Sequence, residues 1–310
     1  INFDWGSPKG DPFSYDAWQG HYELPCLNLQ NPAVRQYLFD VIRFWIDEFD
    51  IDGIRLDVAY CLDFEFLKRL RRHTDSLKKD FFLVGEMLHG DYNQRMNDEM
   101  LHSATNYECY KGLYSSFNTM NMFEITHSLL RQFGPENWTL YKNKHLFNFV
   151  DNHDVTRIAS LLENPKHLPL IYALLFSMPG IPCIYYGSEW GAEGKKEQGS
   201  DAALRPSFEA PVENNLTHWI ALLANIHKKS EALIHGAFRQ VVLTNKQVIF
   251  ERKTDNERIL VAINADAEPF TAHFDAGSGS AIELITGKQH DFGGGSTLPP
   301  YTAQFWKMEW

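Results

Sequence analysis

Cysteine is sparse, and what there is has no order. Cys26, Cys61, Cys109 and Cys183 lie far apart, and no CxxC pair or comparable metal-binding spacing occurs. That excludes a disulfide framework and favours a reducing compartment, so a cytoplasmic protein is expected. Secretion stays open, because the chain opens at Ile1 without a methionine and a signal peptide would not be visible. Positive charge is also short: 29 Lys and Arg face 40 Asp and Glu, a formal net charge of −11. Nucleic acid and anionic membranes need a basic surface, so neither is expected as a partner. Long apolar runs are nearly absent. The one candidate, Leu168 to Tyr186, is divided by Pro169, Pro179, Gly180 and Pro182 into a helix, a turn and a short strand. Internal repeats and low-complexity tracts do not occur. The sequons Asn137-Trp-Thr139 and Asn215-Leu-Thr217 are triplets of a kind that chance often supplies.

What is present is an ordinary globular composition, 44% hydrophobic and 22% charged, with a high aromatic share of 14%. Aromatic faces suit sugar rings, and large cores use them too. Residues 1–30 are rich in Gly, Pro, Asp and aromatics without periodicity and read as loop. Asn31-Pro32 opens a helix as N-cap and first turn, and Val34, Leu38, Val41, Ile42, Trp45, Ile46 and Phe49 recur at helical spacing to give one buried face.

From there strands and helices alternate. Strands are expected at 51–58, 81–85, 104–107, 146–150 and 181–186. Helices are expected at 64–77, 91–102, 112–133, 168–177 and 216–234, with a long polar loop at 188–211. Such alternation implies a parallel sheet. After Gly236 the period changes to two, with strands expected at 240–243, 247–253, 258–264, 270–274, 282–285 and 302–310, the pattern of a small antiparallel β-sandwich.

Three strands end in acids: Asp52-Gly-Ile-Arg-Leu-Asp57, Phe82-Leu-Val-Gly-Glu86 and Phe149-Val-Asp-Asn-His-Asp154. Each has a bland reading. Asp-Gly-x-Arg-x-Asp alone is as well explained by a turn with a structural ion pair. Val-Gly-Glu alone carries almost no signal. Asn-His-Asp after a strand often caps the next helix, and a lone His153 is more often structural than catalytic. Cys61 and Cys109, near strand ends, read as bystanders. The loop residues Trp190, Lys195, Lys196 and Arg205 border a cleft or simply meet solvent. In order along one α/β chain, however, three such acids suit a site at the C-terminal ends of barrel strands.

Taken together the segments resemble the conserved regions of the alpha-amylase superfamily, glycoside hydrolase family 13. The likeness runs from about residue 1 to 235, and the terminal sandwich resembles the family's domain C. Pro179-Gly-Ile-Pro-Cys-Ile-Tyr-Tyr-Gly187 is similar to the eighth barrel strand, and Leu24-Pro-Cys-Leu-Asn28 to the motif near the end of the inserted domain B.

The resemblance implies Asp57 as nucleophile, Glu86 as general acid/base and Asp154 as the third acid. Arg55, His153 and His89 would contact substrate. Arg55 lies two residues before Asp57, on the same face of the strand, where its charge keeps the nucleophile ionised. The implied substrate is a starch-like α-glucan or maltooligosaccharide. No metal ligand is assigned in this chain; calcium belongs to what the intact family member allows.

The sequence departs from the family where its first conserved region, Asp-x-x-x-Asn-His, should stand: no such segment occurs. The expectation is a partial (β/α)8 TIM barrel, about strands 4 to 8. It would comprise the end of domain B over 1–30, the C-terminal part of the barrel over 31–235 and a β-sandwich over 236–310. Such a fragment would need the missing N-terminal half, or self-association, to complete the barrel. Leu88 stands where several cyclodextrin- and pullulan-hydrolysing members carry an aromatic, Ser188 where an Asp is frequent, and Tyr60 where Asn, Lys or His is common. Two other classes fit the residues less well. A non-catalytic amylase-like glucan-binding or scaffold protein would be expected to lose at least one acid. A barrel lyase or aldolase would need a Lys or metal cluster at the strand ends.

Overall fold

The computed structural model describes residues 1–308, so the end of the strand expected at 302–310 lies outside the described residues. The chain divides into two compact units, Ile1–Glu86 with Gln94–His102, and Met87–Asn93 with Ser103–Trp310.

In the first unit the expected loop over 1–30 contains a hairpin, Ala17–Trp18 against His21–Pro25. The helix Pro32–Phe49 starts as expected: the Asn31 side chain accepts the Ala33 N–H at 2.9 Å, and Asp50 ends the helix in the left-handed region. Its apolar face is the correction. Ile42 alone is fully buried and Val34, Leu38, Val41 and Ile46 are half-buried, while Trp45 and Phe49 are 42% and 65% exposed. Helical periodicity sets which side is apolar but not what covers it. Here the helix Phe64–Leu77 covers only part, through Phe39, whose ring stacks on Phe66 at 5.8 Å and on His73 at 4.7 Å. That second helix is capped by Asp63, which accepts the Phe66 N–H at 2.8 Å.

The strands Gly53–Leu56 and Phe82–Gly85 run parallel in a register that pairs Gly53 with Phe82 and Leu56 with Gly85. Glycine is required at both ends of this pairing. A Cβ on Gly53 would run into the Phe82 carbonyl oxygen, and one on Gly85 would meet the Leu101 side chain and, at 2.7 Å, the Ala59 Cβ. The 91–102 helix does not form. Only Tyr92–Gln94 makes a 3₁₀ turn. Asp91 and Asn97 accept the N–H groups of Asn93 and Glu99, two residues on, which favours turns over helix.

In the second unit the strand expected at 104–107 is the short Ser103–Ala104, and Phe147–Phe149 and Ile181–Cys183 run parallel. The single helix expected over 112–133 is two, Tyr107–Asn118 and Phe123–Phe133, parted where Met120 takes a positive φ of 50°. The closing helix likewise divides at Ser230 into Asn215–Lys229 and Glu231–His235. Beyond it lies a six-stranded antiparallel sheet. Its central strands are Arg258–Asn264, Thr302–Met308 and Gln247–Lys253, and it carries a strand, Gln289–Asp291, that the sequence pattern did not mark. Phe270–Ala272 pairs with a second unmarked strand, Ser296–Leu298. Ile249, Leu260, Ala262 and Trp306 fill the sheet's core. No helix among the described residues is long and apolar enough to cross a membrane.

Candidate active site

Because Leu56 faces Gly85 in the parallel register, the next residues of both strands, Asp57 and Glu86, are carboxylates at equivalent strand ends. Between them stands Arg55. Its Nη1 donates to Asp57 Oδ1 at 2.6 Å and its Nη2 pairs with Glu86 Oε1 at 2.8 Å. The sequence suggested Arg55 for Asp57 alone; the structure makes it the bridge between both acids. The chain turns sharply after Asp57: Val58 adopts a left-handed φ of 47°, and its N–H donates to Glu86 Oε2 at 3.0 Å. A β-branched residue with positive φ is a strained backbone that the surrounding structure must hold. The two acids differ in access, with side-chain exposure of 71% for Asp57 and 7% for Glu86. One is open to solvent; the other is enclosed and fixed by two donors.

The remaining residues lie in the second unit. Asp154 follows an Asx turn in which its own N–H donates to Asn152 Oδ1 at 2.8 Å. Asp154 Oδ2 lies 3.1 Å from His153 Nε2, and Arg205 Nη2 donates to Asp154 Oδ1 at 2.9 Å. Arg205 also donates through Nε to the His153 carbonyl at 3.0 Å and through Nη2 to Asp201 at 3.0 Å, so it orders the whole turn. Asp201 in turn accepts from Lys196, a bond that lowers its pKa from the usual carboxylate value. The sequence marked Arg205 only as a loop residue, and nothing local could show that it reaches back 51 positions to Asp154. His89 is exposed. It lines a groove of about 770 Å³ with Leu88, Tyr107 and Lys111. The Tyr107 hydroxyl accepts a bond from Asn152 Nδ2 at 2.9 Å, joining the groove wall to the turn that carries His153 and Asp154.

Behind that turn sits a buried polar cluster that the sequence did not single out. Asp151, 1% exposed, accepts from the Ser188 hydroxyl at 2.8 Å and from the Ile158 N–H at 2.8 Å. Arg157, fully buried, donates to Ser188 Oγ at 3.1 Å and to the Tyr186 carbonyl at 2.6 Å, and lies over the Tyr185 ring at 4.1 Å. Burial raises the Asp151 pKa, while the Ile158 and Ser188 bonds oppose the rise. Ser188 thus occupies the position of the family's frequent Asp as a donor to a carboxylate, where a second acid would add like charge.

A prediction follows from that bond. Ser188→Ala is expected to cost about 1–3 kcal/mol of stability near neutral pH by leaving a buried carboxylate short of a donor. Asp151 already has a raised folded pKa, so it opposes folding as pH rises past its unfolded value. Loss of Ser188 raises that pKa further. The difference from wild type should therefore grow above the normal carboxylate range and shrink at acid pH, where both proteins carry a neutral Asp151. Denaturant unfolding across pH measures it, and a pH-independent difference would overturn the account.

Cys183 is half-buried rather than buried, and burial pushes its thiol up to about 11. Cys109 is buried and Cys61 exposed, both as free thiols. Among the described residues no three His, Cys, Asp or Glu side chains group so as to hold a metal ion, and no step below is routed through one.

Acids at the ends of parallel strands, followed by an antiparallel sheet domain, define the class of β/α proteins whose sites are built at strand C-termini. The chain matches the family model of the alpha amylase catalytic domain over residues 9–258, and it belongs to the alpha-amylase family. It is 31% identical over 253 residues to an intracellular maltogenic amylase of Bacillus subtilis, covering 80% of this chain and 42% of that protein. With a cyclomaltodextrinase of Geobacillus thermopakistaniensis (strain MAS1) it shares 28% over 315 residues, 96% of this chain and 51% of the relative. Among solved structures, an Anoxybacillus alpha-amylase superposes with a TM-score of 0.77 at 26% identity, covering 92% of this chain and 64% of that one. The chain therefore spans about half the length of the curated relatives it matches.

Proposed function

We propose that this chain carries the catalytic acids of a retaining glycoside hydrolase or transglycosylase that cleaves α-glucosidic bonds in starch-like or maltooligosaccharide substrates. The observation that carries the proposal is the Arg55 bridge. One guanidinium binds Asp57 through Nη1 at 2.6 Å and Glu86 through Nη2 at 2.8 Å, so both carboxylates gather on a single side chain. Retaining glycosidases need their two carboxyl groups close, about 5–5.5 Å, so that one attacks the anomeric carbon while the other protonates the leaving oxygen.

In this reading Asp57, the open acid, is the nucleophile. Arg55 holds it through the Nη1 bond to Oδ1. Glu86, the enclosed acid, gives its proton to the glycosidic oxygen and then takes one from the incoming water or sugar hydroxyl. Asp154 opposes the positive charge that develops on the sugar, with Arg205 and His153 fixing its orientation. Arg55, His153 and His89 contact the substrate.

The exposure of Trp45 and Phe49 on the apolar face of the helix Pro32–Phe49 supports a second part of the proposal: this chain is the strand 4 to 8 portion of a (β/α)8 barrel. The rest of the barrel would come from a missing N-terminal half or from self-association. The proposed division is the end of domain B over 1–30, barrel over 31–235 and domain C over 236–310. Four free cysteines favour a cytoplasmic location.

The stereochemistry of the product tests the mechanism. Hydrolysis of an α-linked maltooligosaccharide should release a sugar whose new reducing end is first α, followed by proton NMR before mutarotation. A β product would mean inversion and would remove Asp57 from the role of nucleophile.

A further inference from the structure

Asp154 is held in two ways that differ in strength. Its carboxylate meets His153 and Arg205, and all three side chains are 36–46% exposed. Ion pairs that open to water constrain little. Its backbone is held by the Asx turn, in which the Asp154 N–H donates to Asn152 Oδ1 at 2.8 Å. That turn fixes the main chain on which the carboxylate stands, and so the direction in which it leaves.

An Asn amide presents an acceptor at one end and donors at the other. The Asp154 N–H claims Oδ1, and Nδ2 then donates to the Tyr107 hydroxyl at 2.9 Å, 45 positions away in the chain. Rotation of the amide would set Nδ2 against the Asp154 N–H, donor against donor. With Tyr107 on Nδ2, the amide is fixed at both ends.

Tyr107 itself stands on a firm base. It opens the helix Tyr107–Asn118 beside the cap residue Asn106, which is fully buried. Asn106 Nδ2 donates to Asn148 Oδ1 at 2.8 Å and to Gln132 Oε1 at 2.9 Å, and its Oδ1 accepts from Gln132 Nε2 at 3.0 Å. Its N–H donates to the Phe147 carbonyl at 2.9 Å. Asn148, inside the strand Phe147–Phe149, donates through Nδ2 to the Pro179 carbonyl at 2.8 Å. A buried polar network whose members are all bonded rigidifies what it joins. The Tyr107 ring also meets Phe149 edge-on, with centroids 4.9 Å apart. The start of the helix and the strand that leads into the turn are therefore locked together, and the hydroxyl reaches Asn152 from a fixed place.

We propose that Tyr107 is a positioning residue: its hydroxyl orients the Asn152 amide and, through the Asx turn, aims Asp154 at the sugar. The proposal rests on the role given above to Asp154. A hydroxyl that instead touched substrate would change KM and leave the Asp154 amide of the ligand-free protein as it is.

The first test needs no turnover. In the ligand-free full chain, exchange of the Asp154 backbone amide with water, followed by NMR, should be about tenfold faster in Tyr107→Phe, while the amides of Cys109 and Tyr110 in the adjoining helix keep their rates. Asn152→Ala should speed the same amide at least as much, and Tyr107→Phe added to it should change nothing further. The second test is kinetic, on a maltooligosaccharide. Tyr107→Phe should lower kcat about tenfold and keep KM within about twofold, because Asp154 acts on charge that develops only in the transition state. In an Asp154→Asn background the same substitution should cost nothing more. An unchanged Asp154 amide in Tyr107→Phe, faster exchange along the whole helix, or a kcat loss that multiplies in the Asp154→Asn background would overturn the proposal and leave the glycosidase reading standing. Full activity of Asp154→Asn would remove Asp154 from the reaction, and this proposal with it.

Discussion

Glu86→Gln is expected to lower turnover of unactivated α-glucans by about 10²–10⁴-fold, the usual contribution of a positioned general acid. The amide keeps the shape of the acid and one acceptor oxygen, so the bonds from Arg55 and the Val58 N–H need not both be lost. What disappears is the transferable proton. An α-glucosyl fluoride, whose leaving group needs little protonation, should therefore still react with Asp57 and load the enzyme. Without a base to activate water, that glycosyl-enzyme should accumulate and be visible by intact mass measurement. Asp57→Asn should remove activity on both substrates and leave nothing to trap. If Glu86→Gln turned over maltooligosaccharides at the wild-type rate, the acid/base assignment would fall. If it lost both substrates alike without accumulating an adduct, Glu86 would be acting on structure instead.

A change one residue earlier should be almost as damaging for a different reason. Gly85→Ala adds a methyl group into space already taken by the Leu101 side chain and the Ala59 Cβ, which stands 2.7 Å from where the new atom would go. Leu101 can rotate, but Ala59 is a backbone-fixed methyl that opens the 3₁₀ turn after Asp57. Overpacking of this kind costs about 1–3 kcal/mol. The strand end must also move, and it carries Glu86. Displacement of a catalytic group by about 1 Å can cost roughly 10²-fold in rate. The expected outcome is a lower melting temperature together with reduced kcat at temperatures where the variant is fully folded. The double variant Gly85→Ala with Ala59→Gly should recover part of both. A variant with normal stability and rate would show that the contact relaxes freely.

Local signals were legible in the sequence and global ones were not. Asn31 and Asp63 cap their helices as their residue types suggest, because a cap depends on two or three neighbouring residues. The break between Tyr107–Asn118 and Phe123–Phe133 was not legible, since the residues around Met120 continue a helix-compatible pattern. The 91–102 segment misled for the opposite reason: Met96 and Met100 are buried as a helix face would be, yet the Asx turns at Asp91 and Asn97 hold the backbone in irregular form. At the site, the acids and Arg55 stood out by their strand-end positions. Arg205, Asp151 and Arg157 did not, because their partners are brought together by loops and helix packing rather than by spacing.

By itself the sequence determined the alternation of strands and helices, the change to period two after Gly236, and the acidic residues that end three strands. Those are properties of neighbouring residues, so short-range sterics and hydrophobic periodicity settle them. Only the tertiary structure decided that Arg55 serves both Asp57 and Glu86, because that depends on the register pairing Leu56 with Gly85 across two strands. It alone showed that the helix Pro32–Phe49 leaves Trp45 and Phe49 of its apolar face exposed, because burial is decided by what packs against a face and not by the face itself.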